Sequence, residues 1–168
     1  MFDDSAPIWR FKEELGAVED PEAARLATNG LHIVEVFPAL AWPTWEHRFH
    51  TRLGGPRYNP GRRKTFRVEH WSAVVECVRA TAARLGVAGI DPWLASAQGI
   101  AATRKSDQDL LDAVVCALIG VHWIAQPRSD SILIGDRERG YMVAPASLPV
   151  RQRLESAARL RAVPVDAW

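Results

Sequence analysis

Three carboxylates stand in or beside apolar stretches of this chain, where a charge needs a compensating partner. Glu35 interrupts the apolar run HIVEVFPALAW, and a buried charge costs free energy unless it is paired or hydrogen-bonded. Asp109 and Asp112 are three residues apart in SDQDLLDAVVCALIG, so on a helix they share one face. Carboxylates from a strand and a neighbouring helix can converge on Mg²⁺ or Mn²⁺, which prefer hard oxygen ligands. Two such ions can polarise a phosphodiester for attack by water, so one hypothesis is a metal site of this kind.

Each acid also has a simpler interpretation. Glu35 can form a salt bridge with an arginine such as Arg63, in which case it lies away from the two aspartates. Asp107 and Asp109 can cap the helix that they begin. Asp112, one turn further in, can be partly solvated at the border of the apolar stretch. The spacing of three acids does not by itself decide between these interpretations.

A basic and aromatic stretch, RYNPGRRKTFRVEHW, follows the Glu35 segment. Basic side chains contact phosphates and aromatic rings stack on bases, so this pattern predicts a nucleic-acid-binding loop. A solvated loop without a partner explains the same pattern equally well. The aromatic residues of the stretch are Tyr58, Phe66 and Trp71. The candidate binding residues are Arg57, Tyr58, Arg62, Arg63, Lys64 and Arg67.

Other motifs of enzyme chemistry are missing from the sequence. The segment TWEHRFH brings His47 and His50 to helical spacing, but without an HExxH pattern it indicates a surface helical turn. We find no GxSxG, no phosphate-binding glycine loop and no cysteine–histidine cluster. These observations argue against a serine hydrolase, a P-loop NTPase and a zinc enzyme.

The composition predicts one folded domain. Of the 168 residues, 48% are hydrophobic and 24% charged, and the formal net charge of +1 points to no class of partner. Cys77 and Cys116 share no CxxC spacing and predict a reduced, cytoplasmic protein. The first residues are too polar for a signal peptide, and we find no run of about 18 apolar residues. We therefore expect no membrane as a partner.

Hydrophobic periodicity predicts an α/β chain. Helices are expected at 8–15, 21–28, 70–85, 106–125 and 149–162, a strand at 31–38, and a two-stranded hairpin at 131–145 with a polar turn at 136–140. Long loops are expected at 38–69, with a helical turn near 42–49, and at 87–105. The helix 106–125 is apolar almost all round beyond Leu110 and should be central. Ser106 is its candidate N-cap, with Asp109 three residues on in a capping-box arrangement.

Four segments occur in an order typical of one family: VEVFPAL, RYNPGRRK, DQDLLDAVVCALIGVHW and GYMVAP. Together they resemble the bacterial and archaeal family of predicted RNase H-like nucleases catalogued as domain of unknown function 429. The resemblance covers most of the chain and implies an RNase H-like fold with Mg²⁺ or Mn²⁺ as cofactor. It implies that Glu35 is the strand ligand, Asp112 the helix ligand and Asp109 the companion acid. RuvC-type Holliday-junction resolvases have a similar pair of helix aspartates.

The family pattern also has a first-strand aspartate ahead of a glycine-rich hairpin, and this sequence has no counterpart to it. Asp3 and Asp4 lie in a polar N-terminus without a strand pattern. We therefore expect residues 1–168 to form a single, incomplete RNase H-like domain that corresponds to the C-terminal part of the family domain. An open sheet edge favours a homo-oligomer or a partner chain that completes the sheet.

Two functions follow from these expectations. The first is a metal-dependent nuclease that acts on a nucleic-acid phosphodiester, with Glu35, Asp109 and Asp112 as catalytic residues and metal ligands. The second is a non-catalytic nucleic-acid-binding or assembly module on the same fold. The missing first aspartate favours the second function, because two carboxylates hold a catalytic ion poorly. The sequence leaves open whether the nucleic acid is DNA or RNA.

Overall fold

The structure is a computed structural model and describes residues 7–50, 55–100 and 102–168. Within these ranges the chain forms seven α-helices, two 3₁₀ turns and a two-stranded antiparallel sheet. In chain order the helices and strands are α1 (Pro7–Leu15), α2 (Pro21–Leu26), α3 (Pro38–Trp45), α4 (Val68–Arg84), α5 (Asp91–Gln98), α6 (Lys105–Ala125), β1 (Ser131–Asp136), β2 (Gly140–Pro145) and α7 (Leu148–Arg159). Asp3 and Asp4 lie outside the described residues.

The mixture of helices with a small sheet agrees with the α/β class predicted from the sequence. Most elements form within a few residues of where periodicity predicts them. These are the helices α1, α2, α4, α6 and α7 and the β1–β2 hairpin. Asp20 caps α2 as expected, since its carboxylate accepts a hydrogen bond of 2.8 Å from the Ala23 N–H. Two predicted loops contain helices instead, α3 and α5, and each begins with a proline at its first or second position.

The strand predicted at 31–38 is an extended segment and not a strand of the sheet. It forms isolated parallel bridges, one between His32 and Val18 and one between Val36 and Val143 of β2. The Val143 N–H donates a hydrogen bond of 2.9 Å to the carbonyl oxygen of Glu35. Pairing stops there because Pro38, which has no N–H to donate, begins α3.

The hairpin has a covered edge on each side. Strand β2 meets the 31–36 segment, and β1 meets the C-terminal segment, where Gly135 donates to Pro164 and Asp166 donates to Leu133. The β1–β2 register runs from Ser131 opposite Pro145 to Asp136 opposite Gly140. Short flanking segments of this kind cover the outer edges of β1 and β2 themselves.

The long helix α6 contributes many side chains to the core, as expected. Its buried apolar side chains include Leu111, Val115 and Trp123, the last only 1% exposed. The rings of Trp42 and Trp71 complete this core from α3 and α4. By length and composition alone, α6 is the one helix of the described part of the chain that could cross a membrane. A core helix passes the same test, so this property is weak support for a membrane span.

Candidate functional site

The candidate site lies where the first turns of α6 meet the loop that precedes α4. Helix α6 follows Arg104 as its N-cap, so it begins earlier than the N-cap predicted at Ser106. The carboxylate of Asp107 accepts a hydrogen bond of 2.7 Å from the Arg104 N–H. Of the two acids expected to cap this helix, Asp107 is therefore the one that does so, at the position where negative charge complements the helix dipole.

Asp109 is a surface residue in an ion pair. Its carboxylate contacts the ammonium group of Lys105, one helical turn earlier, and its side chain is 60% exposed. Such i, i+4 pairs stabilise a helix modestly and are screened by salt. The role of capping residue predicted for Asp109 is wrong, because its partner is a side chain and not a backbone N–H.

Asp112 is half-buried, and both of its carboxylate oxygens accept hydrogen bonds. The Tyr58 hydroxyl donates to Oδ1 over 2.6 Å, and the side-chain amide of Gln108 donates to Oδ2. Burial raises the pKa of Asp112, and the two hydrogen bonds and nearby Lys105 offset this effect only in part. The carboxylate is therefore held in one orientation at the border of the core.

Tyr58 is buried in the core beneath the loop. Its side chain is 8% exposed, and its ring meets the Trp42 ring edge to face with centroids 5.7 Å apart. Burial, followed by the hydrogen bond to Asp112, raises the pKa of Tyr58 well above its usual range. The nucleic-acid-binding role predicted for Tyr58 stays a prediction, and in this structure almost none of its ring is accessible to a base.

Glu35 lies in the extended segment beside β2 and is exposed. Partial burial and the nearby charge of Glu19 raise the pKa of Glu35, while Lys12 acts in the opposite direction. Within the described residues Glu35 forms no ion pair, so the alternative of a salt bridge with Arg63 is also wrong. The chain tolerates this carboxylate because solvent reaches it.

The structure does not gather the three acids into a ligand set. Among the described residues, no three His, Cys, Asp or Glu side chains form a group that could hold a metal ion. Glu35 is placed by the hydrogen bond that its carbonyl oxygen accepts from Val143 of β2, Asp109 by Lys105, and Asp112 by Tyr58. The expected convergence of Glu35, Asp109 and Asp112 is therefore not found among the described residues. Mg²⁺ and Mn²⁺ need several oxygen ligands at once, so binding of either ion by these acids stays a prediction.

Residues 57–67, here called the basic loop, form a closed and ordered turn structure. The Arg67 N–H donates a hydrogen bond of 2.8 Å to the Arg57 carbonyl oxygen, which brings the two ends of the loop together. Inside the loop, the N–H groups of Thr65 and Phe66 both donate to the Arg62 carbonyl oxygen over 2.9 Å. Loops whose ends meet in this way are compact and are frequently functional.

The cations of the basic loop are exposed to solvent. None of the five forms an ion pair within the described residues. Arg67 donates only to the neighbouring Phe66 carbonyl oxygen. The five side chains are Arg57, Arg62, Arg63, Lys64 and Arg67. Their exposure leaves them accessible to a phosphate backbone. Nucleic-acid binding by these five residues stays a prediction.

Sequence reasoning missed Gln108, the second partner of Asp112. Gln108 is 6% exposed, which is unusual for an amide side chain. Its spacing was the available signal, because residues four apart on a helix are neighbours and a glutamine can donate to an aspartate there. The amide oxygen of Gln108 is buried and has no hydrogen-bond partner in the part of the chain that the structure describes.

Comparison with known proteins adds no relative. The chain matches no family model, no curated protein and no solved structure. The likeness to the RNase H-like nuclease family therefore rests on the four sequence segments alone.

Proposed function

We propose that this chain is a nucleic-acid-binding module that holds a phosphate backbone on its basic loop and does not itself cleave the backbone. The observation that carries this proposal is a closed loop of exposed cations that have no acidic partner among the described residues. Phosphate contacts of this kind supply affinity that does not depend on base sequence. A loop that is already ordered loses little conformational freedom when it binds.

The acids around the basic loop do little to neutralise it. Between residues 55 and 70 there are five cations and one carboxylate, Glu69, which leaves a local net charge of +4. Asp109 is neutralised by Lys105. Asp112 receives hydrogen bonds from Tyr58 and Gln108, which are neutral and leave its charge in place, but one further carboxylate does not outweigh the local charge of +4. An approaching phosphate therefore meets a positive field, which should steer its association.

The proposal is tested by the salt dependence of binding to a labelled oligonucleotide. For duplex DNA, log K should fall with log salt by about 0.9 for each phosphate contact. The triple variant Arg62→Ala, Arg63→Ala, Lys64→Ala should bind more weakly, with a slope shallower by up to about 3. The matched control Arg137→Ala, Arg159→Ala, Arg161→Ala makes the same change in charge at exposed positions outside the loop and should keep the wild-type slope.

Two results would contradict the proposal. One is the absence of any salt-dependent binding by the intact chain. The other is an equal loss of affinity in the loop variant and in the control variant, which would mean that total charge matters and the loop does not.

Metal-dependent nuclease activity is the second candidate function. The placement of the Asp112 carboxylate favours it. This carboxylate is fixed in orientation and hydrogen-bonded to the base of the basic loop, where a bound backbone would pass. The described residues lack a complete ligand set, so this function requires further carboxylates from outside the described residues, in this chain or in a second copy of it. Calorimetric titration with Mn²⁺ tests it: binding that Asp112→Asn abolishes would support the second candidate, and no binding, or binding unchanged by that variant, would contradict it.

We also propose that the chain has an incomplete RNase H-like fold, whose sheet is completed by a second copy or by a partner chain. The support is the order of extended segments beside the hairpin, in which Val18 pairs with the 31–36 segment and that segment pairs with β2. The segment around Val18 is the outermost, and Val18 itself is 52% exposed. Sedimentation of the purified chain should show a dimer if a second copy pairs there, and Val18→Lys should return it to a monomer. A wild-type chain that is a monomer would contradict completion by a second copy.

We also propose that the protein acts in the cytoplasm. Both cysteines are free, Cys77 buried and Cys116 half-buried, which suits a reducing compartment.

A further inference from the structure

The aromatic rings of the basic loop face the core and not the surface that carries the cations. Tyr58 is 8% exposed, and its hydroxyl is bonded to Asp112. Trp71, the first aromatic residue after the loop, is 1% exposed, and its indole N–H donates to the Ala97 carbonyl oxygen over 3.0 Å. Phe66 is partly buried against the same core. The aromatic residues that alternate with cations in the sequence are thus separated from them in space.

We infer that the ligand of the basic loop is a base-paired duplex, bound through its phosphates without base stacking. This inference rests on the proposed function and specifies its substrate class. Proteins that prefer single strands combine a basic groove with rings on which successive bases stack. The basic loop presents its cations without rings of this kind on the same surface. The unpaired bases of a single strand would therefore add no stacking energy to the binding.

The density of phosphate charge also favours a duplex over a single strand as the ligand. A duplex carries about one negative charge per 1.7 Å of its axis, counting both strands, and so meets a compact group of cations with more phosphates than a single strand does. The loop is held in shape by backbone hydrogen bonds from Arg67 to Arg57 and from Thr65 to Arg62. A fixed array of charges suits a stiff backbone, whereas a flexible strand must be ordered before it fits.

The experiment compares one sequence in two forms, as a labelled duplex of about 20 base pairs, two helical turns, and as one of its single strands. Binding of the full chain to each form is measured by fluorescence anisotropy across salt concentrations from about 50 to 200 mM. The duplex should bind at least as tightly as the single strand and with the steeper salt slope, since the slopes are about −0.9 and −0.7 per contact, respectively. A second duplex of different base composition should bind equally well.

The variant Phe66→Leu tests stacking directly, because Phe66 is the least buried ring of the loop and leucine preserves most of its packing. Its affinity for both forms should stay within about twofold of wild type, whereas stacking on a ring would be lost with it. Circular dichroism melting of the variant checks that the fold is retained.

The possible results separate this inference from the proposed function. The inference would be overturned if the single strand bound about tenfold more tightly than the duplex, or if Phe66→Leu lost affinity for the single strand while remaining folded. Either result would leave the proposal of phosphate binding in place. A preference for one base composition would also overturn the inference. Failure of both forms to bind, or binding that the triple loop variant does not weaken, would overturn the proposed function and the inference together.

Discussion

The Tyr58 hydroxyl donates a hydrogen bond of 2.6 Å to Oδ1 of Asp112, and this bond fastens the basic loop to helix α6. The two residues are 54 positions apart in the sequence, so the contact fixes tertiary structure and not a local turn. Trp42 packs against the Tyr58 ring, which keeps the hydroxyl at the carboxylate. Asp112 therefore acts in this structure as the anchor of the loop that carries the cations.

Removing this hydrogen bond should destabilise the protein. In Tyr58→Phe the half-buried carboxylate loses one of its two donors, while the ring and its packing remain. A hydrogen bond to a charged group is worth about 1.5–3 kcal/mol, and we expect a loss near the lower end because solvent reaches part of Asp112. Urea unfolding at neutral pH measures the difference.

The matched control is Tyr141→Phe. Tyr141 is also buried, at 4% exposure, but among the described residues its hydroxyl accepts only a long hydrogen bond of 3.4 Å from the Glu35 N–H. This variant should lose less free energy of unfolding than Tyr58→Phe. Equal losses would mean that the two hydroxyls matter only as buried polar groups and that the bond to Asp112 has no special role.

The stability of the protein should depend on pH through Asp112. Burial raises the pKa of Asp112 above its value in the unfolded chain, so the folded state holds this proton more tightly. Linkage then makes the free energy of unfolding fall as pH rises from the unfolded pKa, near 3.8, through the raised folded pKa. Asp112→Asn should remove this fall, because asparagine does not titrate and can still accept the hydrogen bond from Tyr58. Urea unfolding at a series of pH values checks the slope.

Asp166 provides a control of opposite sign. Burial alone would raise its pKa, but hydrogen bonds from the Leu133 N–H, Arg128 and Arg151 outweigh burial and lower it. Its contribution to stability is present above the unfolded pKa and is lost as pH falls through the lowered folded pKa. Asp166→Asn should therefore reduce stability at neutral pH and make the loss on acidification smaller. If both variants changed the pH dependence in the same direction, the assignment of the two shifts would be wrong.

The sequence predicted those parts of the fold that depend on local periodicity. The apolar repeats of α4 and α6 and the Asp136–Gly140 turn are each encoded by neighbouring residues, and all three form. In the same way, Asp20 was identifiable as a cap because it directly precedes a proline at the first position of α2. Helix α3 was missed because its two prolines, Pro38 and Pro43, are more typical of a loop.

The candidate site depends on contacts that periodicity does not encode. Whether Tyr58 points outward to a base or inward to Asp112 is decided by the Trp42 ring and by the closure of the loop, neither of which is visible in the local pattern. The same holds for Glu35, whose position follows from the bridge between Val36 and β2. An alternating basic and aromatic pattern is produced equally by a stacking surface and by a loop with its rings in the core.

Glu35 should be dispensable for folding. Its pKa is raised by partial burial and by Glu19, so its charge is mildly unfavourable in the folded state. Glu35→Gln should therefore change the free energy of unfolding at neutral pH by no more than about 0.5 kcal/mol, and in the stabilising direction. In thermal melts, Mn²⁺ should shift the midpoints of wild type and variant equally, since the described residues offer no ligand set around Glu35. A shift of the wild type alone would establish Glu35 as a metal ligand and overturn its placement here.

Two glycines should respond in opposite ways to replacement by alanine. Gly135 has a φ of +102°, and a Cβ there would collide with the Gly140 carbonyl oxygen and lie 2.9 Å from the Tyr141 Cα. Gly135→Ala should therefore cost at least about 2 kcal/mol, because backbone strain adds to a clash with a rigid strand. Gly120 lies inside α6, and a Cβ there meets nothing within 4 Å. Gly120→Ala should stabilise the protein by about 0.5–1 kcal/mol, since alanine loses less backbone entropy in a helix. Urea unfolding of both variants measures the contrast, and a destabilised Gly120→Ala would contradict the open space that the described residues leave beside Gly120.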